Sequence, residues 1–116
     1  MSRFALAVAV AAALALPAGV PAAPATKLVA TVGPGTSITL TRAGRKVTAL
    51  RPGAYSITVR DRSRSHNFAL SGPRVRRATT VSFTGTKTWN VSLRRGKHTY
   101  VCTPHASFMR GTFMVR

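Results

Sequence analysis

The only cysteine of the chain lies close to a histidine and a methionine near the C-terminus. Cys102 is followed by His105 and then by Met109, and Pro104 stiffens the turn between the first two. A single cysteine can be a small buried apolar side chain, a nucleophile activated by a histidine, or a metal ligand. The spacing therefore raises three alternatives, which are core packing, covalent catalysis and metal binding.

Two further histidines could complete a metal site with this segment. His98 precedes the predicted strand that enters Cys102, and His66 follows the predicted strand Tyr55–Val59. One thiolate, two imidazoles and a weak axial thioether form the mononuclear blue-copper site. A cysteine–histidine nucleophile would need a third group to orient the histidine, and no Asn or Asp follows Cys102 in the chain. The combination of donors favours metal binding over catalysis.

Short runs of alternating apolar residues must position these side chains. Gly, Pro and paired basic residues separate the runs at short intervals, and no helical stripe occurs beyond the first 25 residues. The pattern predicts an all-β protein, an antiparallel sandwich or barrel. The predicted strands are Lys27–Val32, Ser37–Thr41, Lys46–Leu50, Tyr55–Val59, Phe68–Leu70, Thr79–Phe83, Trp89–Leu93, Thr99–Val101 and Thr112–Val115.

The N-terminal segment has the pattern of a secretory signal peptide. A basic start containing Arg3 precedes the apolar run Phe4–Leu16, and the small residues Ala23 and Ala25 suit cleavage after Ala25. The apolar run of 13 residues is shorter than the roughly 20 that span a bilayer, so we expect no transmembrane segment. We predict an exported protein, periplasmic or extracellular, whose single domain comprises residues 26–116 and is monomeric.

The charge of the chain is strongly positive. Lys and Arg number 18 and Asp61 is the only acidic residue, so that losing Arg3 with the leader lowers the net charge from +17 to +16. Such a chain is attracted to polyanions, among them anionic cell-envelope polymers and acidic proteins. Specific nucleic-acid binding is not expected, because the aromatic residues fall on inward strand positions. We expect Asp61 to pair with neighbouring arginines and to brace the His66 loop, and the alternative is a simple role in a turn.

The segments "HNF" and "YVCTPHASFMRGTF" resemble the cupredoxin family of small blue copper proteins, which includes plastocyanin, pseudoazurin and amicyanin. The resemblance covers most of residues 46–115 and is most specific at these two segments. It implies a Greek-key β-sandwich that holds one copper ion and in which Asn67 braces the cysteine loop. The implied equatorial ligands are His66, Cys102 and His105, and the implied axial ligand is Met109.

Two features depart from the family pattern. Three residues separate His105 from Met109, a spacing between those of amicyanin and plastocyanin. His98 has no counterpart among the family's ligands, and we interpret it as an exposed turn histidine.

The resemblance implies a one-electron carrier rather than an enzyme. Electrons would pass by outer-sphere transfer through the exposed edge of His105, and Arg62, Arg64 and Arg110 would favour an acidic redox partner. Two alternatives stay open at this point. One is a copper carrier without a redox partner, and the other is a basic, polyanion-binding β-sandwich in which the cysteine is incidental.

Overall fold

The computed structural model describes residues 24–116, which form ten strands and one short 3-10 turn. The predicted leader therefore lies almost wholly outside the described residues. No helical segment within residues 24–116 has the length and apolarity needed to cross a membrane. The strands are β1 (Thr26–Val32), β2 (Ile38–Arg42), β3 (Arg45–Lys46), β4 (Ala49–Leu50), β5 (Gly53–Asp61), β6 (Ala69–Gly72), β7 (Val75–Ala78), β8 (Gly85–Leu93), β9 (Gly96–Val101) and β10 (Arg110–Val115), and the 3-10 turn is Thr103–His105.

The strands make two five-stranded sheets that enclose one apolar core. The first sheet has the order β3-β2-β1-β5-β8, and the second has the order β4-β10-β9-β6-β7. The predicted all-β sandwich is thereby confirmed. Six of the eight strand pairs are antiparallel, as predicted, whereas β1 pairs with β5 and β4 pairs with β10 in parallel. Both are pairs of strands that are not consecutive in the sequence.

Alternation along the strands places one face of each sheet in the core. Leu28 lies beside Ile57 and Ala30 beside Val59 in the β1–β5 register, and all four side chains are fully buried. Trp89 lies opposite Ile57 on the next strand and extends the same layer. The period-two pattern thus identified the inward residues correctly, because cross-strand partners share a face of the sheet.

The predicted strand Thr79–Phe83 is wrong. That segment is a turn, and the strand at this point of the chain is β7, Val75–Ala78, which ends just before it. Thr79 is not part of a strand, and its hydroxyl accepts a hydrogen bond from the Phe68 backbone amide at 3.0 Å. β7 escaped detection because it contains two arginines and shows no apolar alternation.

The predicted strand Lys46–Leu50 is divided between the two sheets. β3 ends at Lys46 in the first sheet, and β4 begins at Ala49 in the second. The Val47 backbone amide still donates to the Leu40 carbonyl at 2.9 Å, so the chain leaves the first sheet only after that residue. The apolar alternation of residues 46–50 is continuous, so it gave no sign that the chain crosses from the first sheet to the second within this segment.

Candidate metal centre

Two segments that are distant in sequence, the β9–β10 loop and the β5–β6 connection, meet at one end of the sandwich. β9 ends at Val101, directly before Cys102, and β10 begins at Arg110, directly after Met109. Val101 pairs with Arg110 across the antiparallel β9–β10 ladder, so the intervening segment must form a closed loop at the strand ends. His66 reaches the same end from the connection between β5 and β6.

The loop from Cys102 to Met109 is stabilised by its own backbone hydrogen bonds. The Cys102 amide donates to the Met109 carbonyl at 2.9 Å, and the Met109 amide donates to the His105 carbonyl at 2.8 Å. The His105 amide donates to the Cys102 carbonyl at 3.0 Å, within the 3-10 turn that contains Pro104. These bonds fix the positions from which the loop's sulfur and nitrogen donors project.

The side chains of His66, Cys102 and His105 form a compact set of donors, called here the donor triad. The Cys102 Sγ lies 3.6 Å from the Nδ1 atom of each histidine, and the two Nδ1 atoms are 3.0 Å apart. Both histidines thus direct the same ring nitrogen toward the sulfur. The rings are nearly perpendicular, at an interplanar angle of 68°.

The spacing of the donor triad suits one transition-metal ion. Bonds from protein nitrogen and sulfur to such metals are about 2.0–2.3 Å long, so that donors around one ion lie about 3.4–3.8 Å apart. The two sulfur–nitrogen distances of 3.6 Å fall in that range. The shorter nitrogen–nitrogen distance of 3.0 Å is that of a hydrogen bond, in which one imidazole donates to the other. A metal ion would replace that shared proton.

Burial separates one edge of the triad from the rest. Cys102 and Met109 are fully buried and His66 is 7% exposed, whereas His105 is half-buried. Beside His105 stands Phe108, whose ring is 60% exposed and lies 5.3 Å from the imidazole centroid. Access from solvent to the triad therefore runs past the His105 edge.

Asn67 connects the His66 segment to the cysteine loop, as the resemblance implied. Its Oδ1 accepts a hydrogen bond from the Thr103 backbone amide at 2.7 Å, and its Nδ2 donates to the Thr103 hydroxyl at 3.0 Å. The same Nδ2 donates to the Thr79 carbonyl at 3.0 Å. Sequence reasoning missed both threonines. Thr103 could have been suspected from its place between Cys102 and Pro104, but nothing near Thr79 indicated its part.

The expected pairing of Asp61 with arginines is wrong. Its Oδ1 accepts from the Ser63 backbone amide at 2.9 Å, and its buried Oδ2 has no hydrogen-bond partner among residues 24–116. Burial raises the pKa of this carboxyl, although the Ser63 amide and the nearby charge of His66 act in the opposite direction. Asp61 closes a turn before His66 by a local hydrogen bond, not by an ion pair.

The interpretation of His98 as an exposed turn residue is also wrong. Its ring is fully buried on β9, stacked on Phe113 with centroids 5.0 Å apart. Nδ1 donates to the Gly96 carbonyl at 3.1 Å, and Nε2 has no partner within the described part of the chain. His98, Tyr100 and Cys102 alternate inward along one face, so extending the predicted strand by one residue to His98 would have revealed this burial.

No protein-family model matches the sequence, and no curated protein matches it significantly. The fold, in contrast, is similar to that of solved structures of rusticyanin. A structure of the copper protein rusticyanin superposes with a TM-score of 0.59 at 17% identity, covering 78% of this chain and 76% of that chain. A methionine-to-glutamine mutant of rusticyanin gives a TM-score of 0.58 at 20% identity with the same coverage of both chains.

Rusticyanin from Thiobacillus ferrooxidans gives a TM-score of 0.55 at 23% identity, and the alignment covers 78% of this chain and 76% of that chain. At this level of identity the comparison concerns the arrangement of the strands. Rusticyanin is itself a cupredoxin. The chain described here has a cupredoxin-like fold, as the resemblance implied.

Proposed function

We propose that the protein is a type 1 copper protein that carries one electron at a time. The observation that carries the proposal is the donor triad, in which one buried sulfur lies 3.6 Å from two imidazole nitrogens at one end of a cupredoxin-type sandwich. Sulfur and imidazole donors suit copper in both of its common oxidation states. The proposed ligands are His66, Cys102 and His105, with Met109 in the axial position.

A copper ion held by these residues would supply a one-electron couple between Cu(I) and Cu(II). The chain's part is to keep the donors nearly still when the charge changes. The backbone bonds within the cysteine loop and the Asn67 bonds to Thr103 restrain both segments that bear the proposed ligands. A rigid donor set lowers the reorganisation that opposes electron transfer, which favours a shuttle.

The burial of the donors argues against the other chemistries considered. Cys102 is fully buried, so a substrate cannot reach its sulfur, as nucleophilic catalysis would require. A protein that passes copper to a partner must exchange ligands with it, and the buried Cys102 and Met109 resist such exchange. Electron transfer through the half-buried His105 edge requires no opening of the site.

Phe108 and the flanking basic residues indicate what kind of partner would bind at the His105 edge. The exposed Phe108 ring offers a small apolar contact beside His105, fit for a transient complex. Arg62, Arg64 and Arg110 are exposed and lie next to the ligand segments in sequence. The proposed partner is an acidic redox protein that meets a monomer of this chain.

We also propose that the protein is exported and that the domain begins at Thr26. β1 starts at that residue, directly after the predicted cleavage point. Mass spectrometry of the protein recovered from the envelope or medium of an expressing cell tests this, with a mature N-terminus at Thr26 as the expected result. Protein that keeps the leader would contradict it.

Addition of Cu(II) to the purified mature chain tests the proposed centre. An intense thiolate-to-copper absorption band in the visible region is expected, at one copper per chain. The band should vanish in Cys102→Ser, which removes the thiolate, and persist in Ser107→Ala, a change at an exposed position of the same loop. A colourless copper-treated protein would refute the proposal.

Electron transfer is tested separately by stopped-flow oxidation of the reduced, copper-loaded protein. With an anionic oxidant the rate should fall several-fold between about 20 mM and about 200 mM salt, because the screening length shortens across that range. With a cationic oxidant the rate should rise. Rates that are independent of salt for both oxidants would contradict the role given to the flanking arginines.

A further inference from the structure

One flank of the sandwich carries a groove between the edges of its two sheets. β7 is the last strand of one sheet and β8 the last strand of the other, and the groove between them has a volume of about 280 Å³. Four arginines line it, namely Arg74, Arg76, Arg77 and Arg94, together with Asn90, Val91, Ser92 and Val75. We call this feature the arginine groove, and we propose that it binds a linear polymer of phosphate groups.

The register of β7 shows how its arginines are distributed around the groove. Arg77 pairs with Leu70, whose side chain is buried, so Arg77 lies on the inner face of its sheet at the sheet edge. Arg76 pairs with the exposed Ser71 and lies on the outer face. The two guanidinium groups therefore approach the groove from opposite sides of one strand.

The turn between β6 and β7 places a third arginine at this edge at some conformational cost. Gly72 pairs with Val75, which leaves Pro73 and Arg74 as a two-residue turn, and Arg74 has a φ of 55°. Glycine is the usual residue where a turn requires positive φ, because other residues are strained there. The turn thereby places Arg74 among the residues that line the groove.

The floor of the groove is apolar and its far wall is polar, which suits a ligand made of charged groups joined by neutral linkages. Val75 and Val91 are partly buried and pack against the core, so they form an apolar floor. Asn90 and Ser92 offer amide and hydroxyl groups from the exposed side of β8. As β8 is an edge strand, alternate backbone amides also point away from β5 and can donate to an anion.

No acidic side chain neutralises these four arginines. Asp61 is the only one in the sequence, and it pairs with Gly85 at the opposite end of β8, roughly 20 Å along the strand from Ser92. The charge of the four arginines is therefore available to an anionic ligand.

The shape and lining of the groove select among anionic ligands. A groove between two sheet edges admits a single extended chain and does not match a flat bilayer surface. Among residues 24–116 no aromatic side chain lines it, so the described groove lacks the stacking platform on which proteins bind single-stranded nucleic acid. Arginine guanidinium groups grip phosphate oxygens in pairs. The ligand that fits is an extended phosphate polymer without bases.

The groove lies away from the candidate metal centre. Arg94 follows the end of β8 near Gly53, whereas the donor triad lies at the end of the sandwich where β5 finishes and β10 begins. A polymer bound in the groove leaves the His105 edge free. The proposal therefore stands whether or not copper binds.

Calorimetric titration of the mature protein with long-chain inorganic polyphosphate tests the proposal. The groove variant carries Arg74→Gln, Arg76→Gln, Arg77→Gln and Arg94→Gln, and a control with equal loss of charge carries Lys27→Gln, Arg42→Gln, Arg45→Gln and Arg51→Gln. The groove variant should bind at least about tenfold more weakly than the control does, since it loses the paired contacts as well as charge. Equal losses in the two variants would overturn the proposal.

Two further measurements decide the class of ligand. Binding is also measured to vesicles of phosphatidylglycerol and to an oligothymidylate. Relative to the wild type, the groove variant should lose no more affinity for either of these ligands than the control variant loses. A loss specific to the groove with vesicles or with DNA, but not with polyphosphate, would overturn the assignment.

A variant with lysine at the same four positions is a second test that does not depend on the folding of the glutamine variant, because it keeps every charge. It should bind polyphosphate several-fold more weakly than the wild type, as lysine cannot grip two oxygens at once. Unchanged affinity in this variant would also overturn the proposal.

Discussion

The side chain of Asn67 ties the segment of His66 to that of Cys102, because its Oδ1 accepts the backbone amide of Thr103 at 2.7 Å. The contact spans 36 residues of sequence and joins the neighbours of two proposed ligands. With its Nδ2 bound to the Thr79 carbonyl as well, one buried amide holds three connections of the sandwich in a fixed relation.

We expect Asn67→Ala to weaken both the fold and the metal site. The substitution leaves the buried Thr79 carbonyl and Thr103 amide without their partners, which should lower the free energy of unfolding by about 2 kcal/mol or more. Copper affinity should fall by about tenfold, as it does when partners that orient ligands are removed. Urea unfolding and competition with a chelator measure the two effects. The control is Asn90→Ala, at an exposed asparagine, which should change stability by less than about 0.5 kcal/mol.

The three histidines should separate into ligands and a structural residue. His66→Ala and His105→Ala should each abolish or strongly shift the visible copper band. His98→Asn should keep the band while lowering stability by about 1–3 kcal/mol, because the fully buried ring stacks on Phe113. Absorption and electron paramagnetic resonance of the loaded variants report the ligands, and thermal unfolding reports the fold. Loss of the band in His98→Asn protein that remains folded would contradict the assignment.

Gly72 lies so close to the His98 ring that no larger residue fits. A Cβ atom at this position would lie 2.2 Å from the His98 Cδ2 atom. We therefore expect Gly72→Ala to cost about 1–3 kcal/mol in the free energy of unfolding. Combining it with His98→Ala should recover part of that cost, which a double-mutant cycle in urea measures. The neighbouring change Ser71→Ala is the control at an exposed site. Additive losses in the cycle would show that the ring is not the obstacle.

Asp61 should make the metal-free protein less stable as the pH rises above the acid range. Burial raises the pKa of its carboxyl above the ordinary 3.8, so the folded protein holds this proton to a higher pH than the unfolded chain does. Stability is therefore lost as the pH rises from below 3.8 through the folded pKa.

Asp61→Asn keeps an acceptor for the Ser63 amide but cannot ionise. The variant's advantage over the wild type in unfolding free energy should be larger at about pH 6 than at about pH 3. Urea unfolding of both metal-free proteins at the two pH values measures this. An advantage that does not change with pH would contradict the pKa direction.

The sequence by itself determined the class of fold and the types of donor atom. Alternation is a local property of a strand, so the buried face of β5 and the apolar run of β1 could be recognised without the structure. The segment from Cys102 to Met109 lies within a single loop, so its donors could be identified together. The failures at Thr79–Phe83 and Val75–Ala78 arose where arginines line an edge strand or a threonine side chain takes up a backbone partner.

Only the tertiary structure decided which distant segments meet. Alternation tells which residues share a face, but it does not tell which sheet a strand joins or which strand lies beside it. The 3.6 Å distance from the Cys102 sulfur to His66 Nδ1 depends on the pairing of β6 with β9 in one sheet. The burial of His98 depends on its neighbours Phe113 and Gly72. The arginine groove depends on two sheet edges, because its walls come from strands that no local pattern places side by side.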